Sequence, residues 1–207
     1  MVFTGIVEKT GIVTEIVHSK NLSKFTVQTS TEFCQGIKIG ASVCVDGVCL
    51  TICTIDNDKL KFDIMMETLS VTTFDAIKED DLVNIERSMK LGDEIGGHLL
   101  SGHVSSTVKI SNIETPENNH ILTFQTSSDV LKYIFPKGYV ALNGVSLTIG
   151  EVDKVKKTFN VYLIPETLRL TNLQNKLVGN RINIEIETQT RNMVDTISEI
   201  NKESIHG

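Results

Sequence analysis

Short runs rich in Val, Ile, Thr and Phe, separated by turn residues, recur along most of the chain. Residues 3–7, 11–17, 24–29, 41–45, 48–55, 60–65 and 82–86 have the length and composition of strands. Asp46-Gly47 and Asn143-Gly144, each flanked by apolar runs, predict type I′ hairpin turns, because both central residues of that turn take positive φ. Short helical turns are expected at residues 128–134 and after Glu67 and Glu166. Near the end the period changes. Between residues 190 and 202, Met193, Val194, Ile197 and Ile200 fall at helical spacing, with Arg191, Asp195, Glu199 and Lys202 available for the other face. This predicts one amphipathic helix whose apolar stripe packs either on its own domain or on another subunit.

The pattern is written twice. Val43-Cys44-Val45-Asp46-Gly47-Val48-Cys49-Leu50-Thr51-Ile52 is answered by Val140-Ala141-Leu142-Asn143-Gly144-Val145-Ser146-Leu147-Thr148-Ile149, 97 positions on. Thr4-Gly5-Ile6-Val7 aligns at the same offset with Ser101-Gly102-His103-Val104. Glu67-Thr68-Leu69 recurs as Glu166-Thr167-Leu168, and Val83-Asn84-Ile85-Glu86 as Ile182-Asn183-Ile184-Glu185, now 99 positions on. The second copy therefore carries two extra residues, placed in the loop near residues 154–157. Segments repeated in one order and near-constant register imply duplicated domains. They meet at the flexible Gly96-Gly97 joint, giving residues 1–97, 98–187 and a helix with its tail at 188–207. With six or seven short strands per copy, the expected class is all-β: two tandem antiparallel β-barrels of Greek-key type, then a C-terminal α-helix. Closure removes exposed strand edges, and a sandwich is the structural alternative.

Composition narrows the possibilities. The 207 residues are 40% hydrophobic and 22% charged, ordinary globular proportions. A formal charge of −6 with 5% aromatic residues disfavours a nucleic-acid partner, including single strands on OB-like domains, which need a positive groove with exposed aromatics. No apolar run approaches a membrane span, and the first eleven residues lack the apolar core of a signal peptide, so no membrane partner and a cytoplasmic location are expected. The four cysteines, Cys34, Cys44, Cys49 and Cys53, are expected as thiols, mostly buried. Their spacing, without a nearby His, does not suit a metal site.

Two copies of one fold present two similar pockets, and the simplest ligand pair is two molecules of one compound. Thr51 and Thr148 supply hydroxyls, Glu67 and Glu166 acceptors for sugar-like hydroxyls, and the hairpin backbone donors to a planar heterocycle. The positions where the copies differ carry the chemistry: Cys49 stands where Ser146 does, His103 where Ile6 does, Ser42 where Tyr139 does. A thiol and an imidazole suit nucleophilic attack and proton transfer near neutral pH.

The opening Met1-Val2-Phe3-Thr4-Gly5-Ile6-Val7-Glu8, the joint Asp93-Glu94-Ile95-Gly96-Gly97-His98-Leu99-Leu100-Ser101-Gly102-His103, Tyr133-Ile134-Phe135-Pro136-Lys137-Gly138 and Leu163-Ile164-Pro165-Glu166-Thr167-Leu168 closely resemble the riboflavin synthase family (α chain) over nearly the whole chain. The resemblance implies dismutation of two molecules of 6,7-dimethyl-8-ribityllumazine, one giving a four-carbon unit to the other, to yield riboflavin and 5-amino-6-(D-ribitylamino)uracil. It implies no metal and no organic cofactor. It also implies a homotrimer joined through C-terminal helices, each active site lying between the first barrel of one subunit and the second barrel of a neighbour. It places the reactive groups at Ser42, Cys49 and His103. Substrate contacts then fall on Gly5, Ile6, Val7, Cys49, Leu50, Thr51, Asp63, Ile64, Met65, Met66, Glu67 and Thr68. In the second copy they fall on Gly102, His103, Val104, Lys137, Ser146, Leu147, Thr148, Tyr162, Leu163, Ile164, Pro165, Glu166 and Thr167. Asp46 departs from the Asn common before the hairpin Gly, and Asp serves the same turn; Leu91-Gly92 departs as well. In this scheme His103 removes a proton from the acidic C7 methyl of one lumazine, while Cys49 or a water held by Ser42 adds to C7 of the other. Face-to-face positioning alone supplies up to about 7–11 kcal/mol. The competing reading is a non-catalytic lumazine or flavin carrier of the same fold. Such relatives tend to lose the Cys and His, both present here.

Overall fold

In the computed structural model the first copy forms β1 (Lys9–His18), β2 (Leu22–Gln28), α1 (Thr31–Cys34), β3 (Ser42–Val45), β4 (Val48–Asp56), β5 (Lys59–Met65), α2 (Met66–Val71) and β6 (Leu82–Arg87). The second forms β7 (Ser106–Glu114), β8 (His120–Gln125), α3 (Ser128–Leu131), β9 (Tyr139–Leu142), β10 (Val145–Asp153), β11 (Thr158–Leu163), α4 (Pro165–Leu170) and β12 (Arg181–Ile186), and the chain ends in α5 (Thr188–His206). The structure describes residues 2–20, 22–117 and 119–206, residues 203–206 by backbone alone.

Each copy closes into a six-stranded antiparallel barrel. The orders are β1-β2-β5-β4-β3-β6 and β7-β8-β11-β10-β9-β12. Because β2 pairs with β5 and not β3, the connection between β2 and β3 crosses the barrel end in Greek-key fashion. Strands must bend to close so small a barrel, and each copy bends the same two. Bulges interrupt β1 between Val13 and Glu15 and β4 between Ile52 and Thr54, and likewise β7 between Ile110 and Asn112 and β10 between Ile149 and Val152. Asp46, Gly47, Asn143 and Gly144 all take positive φ, as the type I′ turns require. Residues 154–157 between β10 and β11 accommodate the two-residue insertion.

Phe25, Phe62 and Ile52 fill the first core, and Phe124, Phe159 and Ile110 the second. Residues 3–7, expected as a strand, instead form an extended arm with one isolated bridge, Phe3 to Leu100. The arms are exchanged between barrels: Val7 packs in the second core and Val104 against the first.

The hairpin tips meet where the barrels join. Asn84 Nδ2 donates to Asn143 O at 2.9 Å, and Asn183 Nδ2 to Asp46 O at 2.8 Å. Asn84 N and Asn183 N donate to Asp46 Oδ1 and Asn143 Oδ1. These buried polar groups satisfy one another in matched pairs, as buried polar networks must.

Of the two arrangements expected for α5, packing of its apolar stripe on its own barrel is not the one found. Asp195 accepts from Tyr133 Oη at 2.7 Å and pairs with Lys132, and Arg191 bonds Ser105, so polar residues dock it on the second barrel. Met193 (66% exposed), Ile197 and Ile200 point away.

Candidate functional site

Alternation along β3 and β4 divides the hairpin's side chains. Val43, Leu50 and Ile52 enter the first core, while Ser42, Cys49 and Thr51 share the outward face. Ser42 lies directly opposite Thr51, and its side chain hydrogen-bonds the Cys49 thiol. Burial raises the Cys49 pKa, and the Ser42 contact offsets part of that rise. The sulfur therefore keeps its proton at neutral pH.

Pairing between β4 and β5 ends at Ile52–Phe62, and between β10 and β11 at Ile149–Val161. Beyond these pairs the strand ends part, leaving Cys49 and Thr51 on one side and Asp63, Met65, Met66, Glu67 and Thr68 on the other. The second copy repeats the gap with Ser146 and Thr148 facing Tyr162, Ile164, Pro165, Glu166 and Thr167. Main-chain edges and outward side chains border both gaps. The side chains of Leu50 and Ile64 lie in the first core, and those of Val7, Leu147 and Leu163 in the second, so these five offer a ligand chiefly main chain.

The exchanged arms cover the gaps. Cys49 N donates to Gly102 O at 2.9 Å, and Ser146 N to Gly5 O at 2.8 Å. Gly102 has φ +75°, and a Cβ there would lie 2.5 Å from Cys49 Cβ; Gly5, at φ +74°, meets Ser146 in the same way. His103, exposed and next to Gly102, is thus carried to the Cys49 site although it belongs to the second copy. The crossing places Gly102, His103 and Val104 beside the first gap, and Gly5, Ile6 and Val7 beside the second.

A buried carboxylate anchors each arm. Glu185 accepts from Ser101 N at 2.7 Å, Ser101 Oγ at 2.7 Å and Gly102 N at 3.0 Å. Glu86 does the same for Thr4 N, Thr4 Oγ1 and Gly5 N. Desolvation pushes the Glu86 pKa up to about 7 against those three donors.

The second gap is built differently. Tyr139 is 52% exposed, Ile6 is exposed, and His98 Nδ1 lies 2.6 Å from Ser146 Oγ. Lys137 is exposed at φ +68°, where the first copy has Gly40. Glu166 is engaged by Arg169 at 2.6 and 2.8 Å, which lowers its pKa; Glu67 has Ser70 at the matching position.

A cavity of about 450 Å³ lies between the barrels, lined by Asp46, Thr73, Asp80, Asn172, Lys176 and Arg181 among others, and touches none of the candidate residues. A smaller one, about 210 Å³, includes Ser42. Another, about 280 Å³, includes Ile6. Of the four thiols, Cys34 and Cys44 are buried, Cys49 is half-buried and Cys53 is exposed. Cys53 departs from the expected burial because it continues the outward face of Cys49 and Thr51.

A family model of the lumazine binding domain matches the chain twice, at residues 4–88 and 101–187. Riboflavin synthase of Escherichia coli (strain K12) is 43% identical over 199 residues, covering 96% of this chain and 92% of that one. Riboflavin synthase of Buchnera aphidicola subsp. Schizaphis graminum is 42% identical over 204 residues, covering 98% and 97%. The chain belongs to the riboflavin synthase family. Solved structures agree on the fold. LumP complexed with 6,7-dimethyl-8-(1'-D-ribityl)lumazine superimposes with TM-score 0.81 at 23% identity, covering 90% of this chain and 99% of that chain. LumP complexed with riboflavin gives 0.82 at 24%, covering 90% and 100%. In this member of the riboflavin synthase family, sequence reasoning gave no role to Glu86, Glu185 or His98. The two glutamates carried a usable signal, since a repeated acid following a β-branched strand residue needs buried donors if its strand is covered. His98 carried none, because the first copy has Met1 at that position.

Proposed function

We propose that the protein is a riboflavin synthase, a transferase that dismutates two molecules of 6,7-dimethyl-8-ribityllumazine. One molecule gives four carbons to the other, forming riboflavin and 5-amino-6-(D-ribitylamino)uracil. Two identical reactants yield one product richer and one poorer by the same fragment, so no external electron acceptor is needed. The observation that carries the reading is the meeting of Ser42 and Cys49 with the His103 arm of the other copy, in a chain 43% identical to a riboflavin synthase across almost its whole length.

His103 accepts a proton from the C7 methyl of one lumazine, whose anion delocalises into the ring. Cys49, or a water held by Ser42, adds to C7 of the other. The strand gaps hold the rings: Thr51, Thr148 and the free main-chain edges hydrogen-bond the heterocycle, and Glu67 and Glu166 face the ribityl hydroxyls. Holding the two rings together contributes up to about 7–11 kcal/mol by removing the entropy of encounter.

The open gaps support completion by a second subunit. The outward apolar stripe of α5 supports a homotrimer joined through its C-terminal helices, with the first barrel of one subunit facing the second barrel of the next. Cysteines that form no disulfide among the described residues suit a reducing cytoplasm. Incubating the purified protein with 6,7-dimethyl-8-ribityllumazine tests the function. Riboflavin and the pyrimidine should accumulate in equal amounts; tight binding without product would establish a carrier instead.

A further inference from the structure

Cys49 and Ser146 occupy equivalent places beside the two gaps, and each has its side-chain heteroatom held by a hydrogen bond. The partner differs. In the first barrel it is Ser42, across the hairpin. In the second, Tyr139 replaces Ser42, and its ring stacks on His98 with centroids 5.4 Å apart and planes 22° apart. His98 comes from the joint and takes over the hydrogen bond, its Nδ1 2.6 Å from Ser146 Oγ. The backbone fixes it there. His98 N donates to Thr4 O at 3.1 Å, and a Cβ on Gly97 would fall 2.2 Å from the same oxygen and 2.7 Å from Ser146 Cβ. His98 is only 8% exposed, and its Nε2 is buried without a partner among the described residues.

The partners decide the tautomer. A proton on Nε2 would be a buried donor with no acceptor among the described residues, whereas a proton on Nδ1 enters the short bond to Ser146. Burial also lowers the His98 pKa, opposed by the charge of Glu187. Both features favour a singly protonated imidazole whose proton lies on Nδ1, facing Ser146.

We propose that His98 is a positioning residue of the second-barrel pocket: by donating from Nδ1 to Ser146 Oγ it leaves the serine's own proton free for an acceptor atom on the ring of a bound heterocycle. This rests on the proposed function only in taking that heterocycle to be a lumazine or flavin. The first barrel meets its ring with a thiol held by a hydroxyl, the second with a hydroxyl held by an imidazole, so the pockets are not interchangeable.

The test uses the full-length protein and the kinetics of riboflavin formation from 6,7-dimethyl-8-ribityllumazine. His98→Asn places an amide N–H near Nδ1, and His98→Gln places one near Nε2. We expect His98→Gln and Ser146→Ala each to lower kcat/KM about tenfold, the loss of one hydrogen bond. The double variant should be no worse than the poorer single one, because both remove the same interaction. His98→Asn should stay within about threefold of the parent. Equal behaviour of the Asn and Gln variants, or losses that multiply in the double variant, would overturn the proposal. If the parent binds the lumazine but forms no riboflavin, the enzymatic reading fails; the same cycle, read as lumazine affinity by fluorescence titration, still decides the role of His98.

Discussion

Burial keeps the Cys49 thiol protonated near neutral pH, and the Ser42 hydroxyl offsets only part of that effect. In the proposed reaction the thiol proton would pass to the ring that the sulfur attacks, leaving His103, on the arm that brings Gly102 O to Cys49 N, for the methyl proton. Cys49→Ala and His103→Gln should each lower turnover by roughly 10²–10⁴, typical of a lost acid–base or nucleophilic group, while lumazine affinity changes little. Stopped-flow formation of riboflavin beside equilibrium titration checks both. Unaltered rates in the two variants would remove these residues from the chemistry. Cys49 and His103 stood out in the sequence because duplication supplies an internal control: the other copy has Ser146 and Ile6. Glu185 did not stand out, because both copies have the acid.

At the scale of elements, the exchanged arms determine which barrel each residue serves. Glu185, on β12 of the second barrel, receives three donors from Ser101 and Gly102 and so holds the arm whose Gly102 O accepts from Cys49 N of the first barrel. Glu185→Gln turns one acceptor oxygen into a donor and should lower kcat by about tenfold or more, with faster amide exchange at residues 101–103. Wild-type exchange there would show that the arm is held by packing alone. Gly102→Ala meets both a positive φ and the Cys49 backbone, so it should cost about 1–3 kcal/mol in urea denaturation and reduce activity further. A fully active, equally stable Ala variant would contradict the close approach.

At the scale of the molecule, the barrels join through a polar network with one asymmetric member. Desolvation pushes the Asp46 pKa up to about 6 from 3.8, opposed by Lys176 and by hydrogen bonds from Asn84 and Asn172. A raised pKa means that folding favours the protonated form. Asp46 contributes its stability fully below pH 3.8 and loses it as the pH rises through about 6. Asp46→Asn copies Asn143 and should therefore gain on the parent between pH 4 and 6, by on the order of 2–3 kcal/mol. Urea denaturation across that range measures it, and a pH-independent difference would rule the effect out. The α5 stripe predicts association: Ile197→Glu should yield monomers by sedimentation with barrels intact, and should abolish turnover if the site spans two subunits.

Fold class, duplication, hairpin turns and the terminal helix were all legible in the sequence, because each is a local rule of periodicity or turn chemistry that repeats. The two-residue insertion was legible for the same reason. The crossing of the arms was not. Whether Val7 packs in its own barrel or in the other depends on contacts remote in the chain, and an apolar residue reads alike in both. The same holds for α5, where Asp195 and Arg191 face the barrel because Tyr133, Lys132 and Ser105 stand there to receive them. Composition and spacing determined which side chains the protein has available for chemistry; tertiary structure alone decided which of them meet, because burial and hydrogen bonding join residues a hundred positions apart.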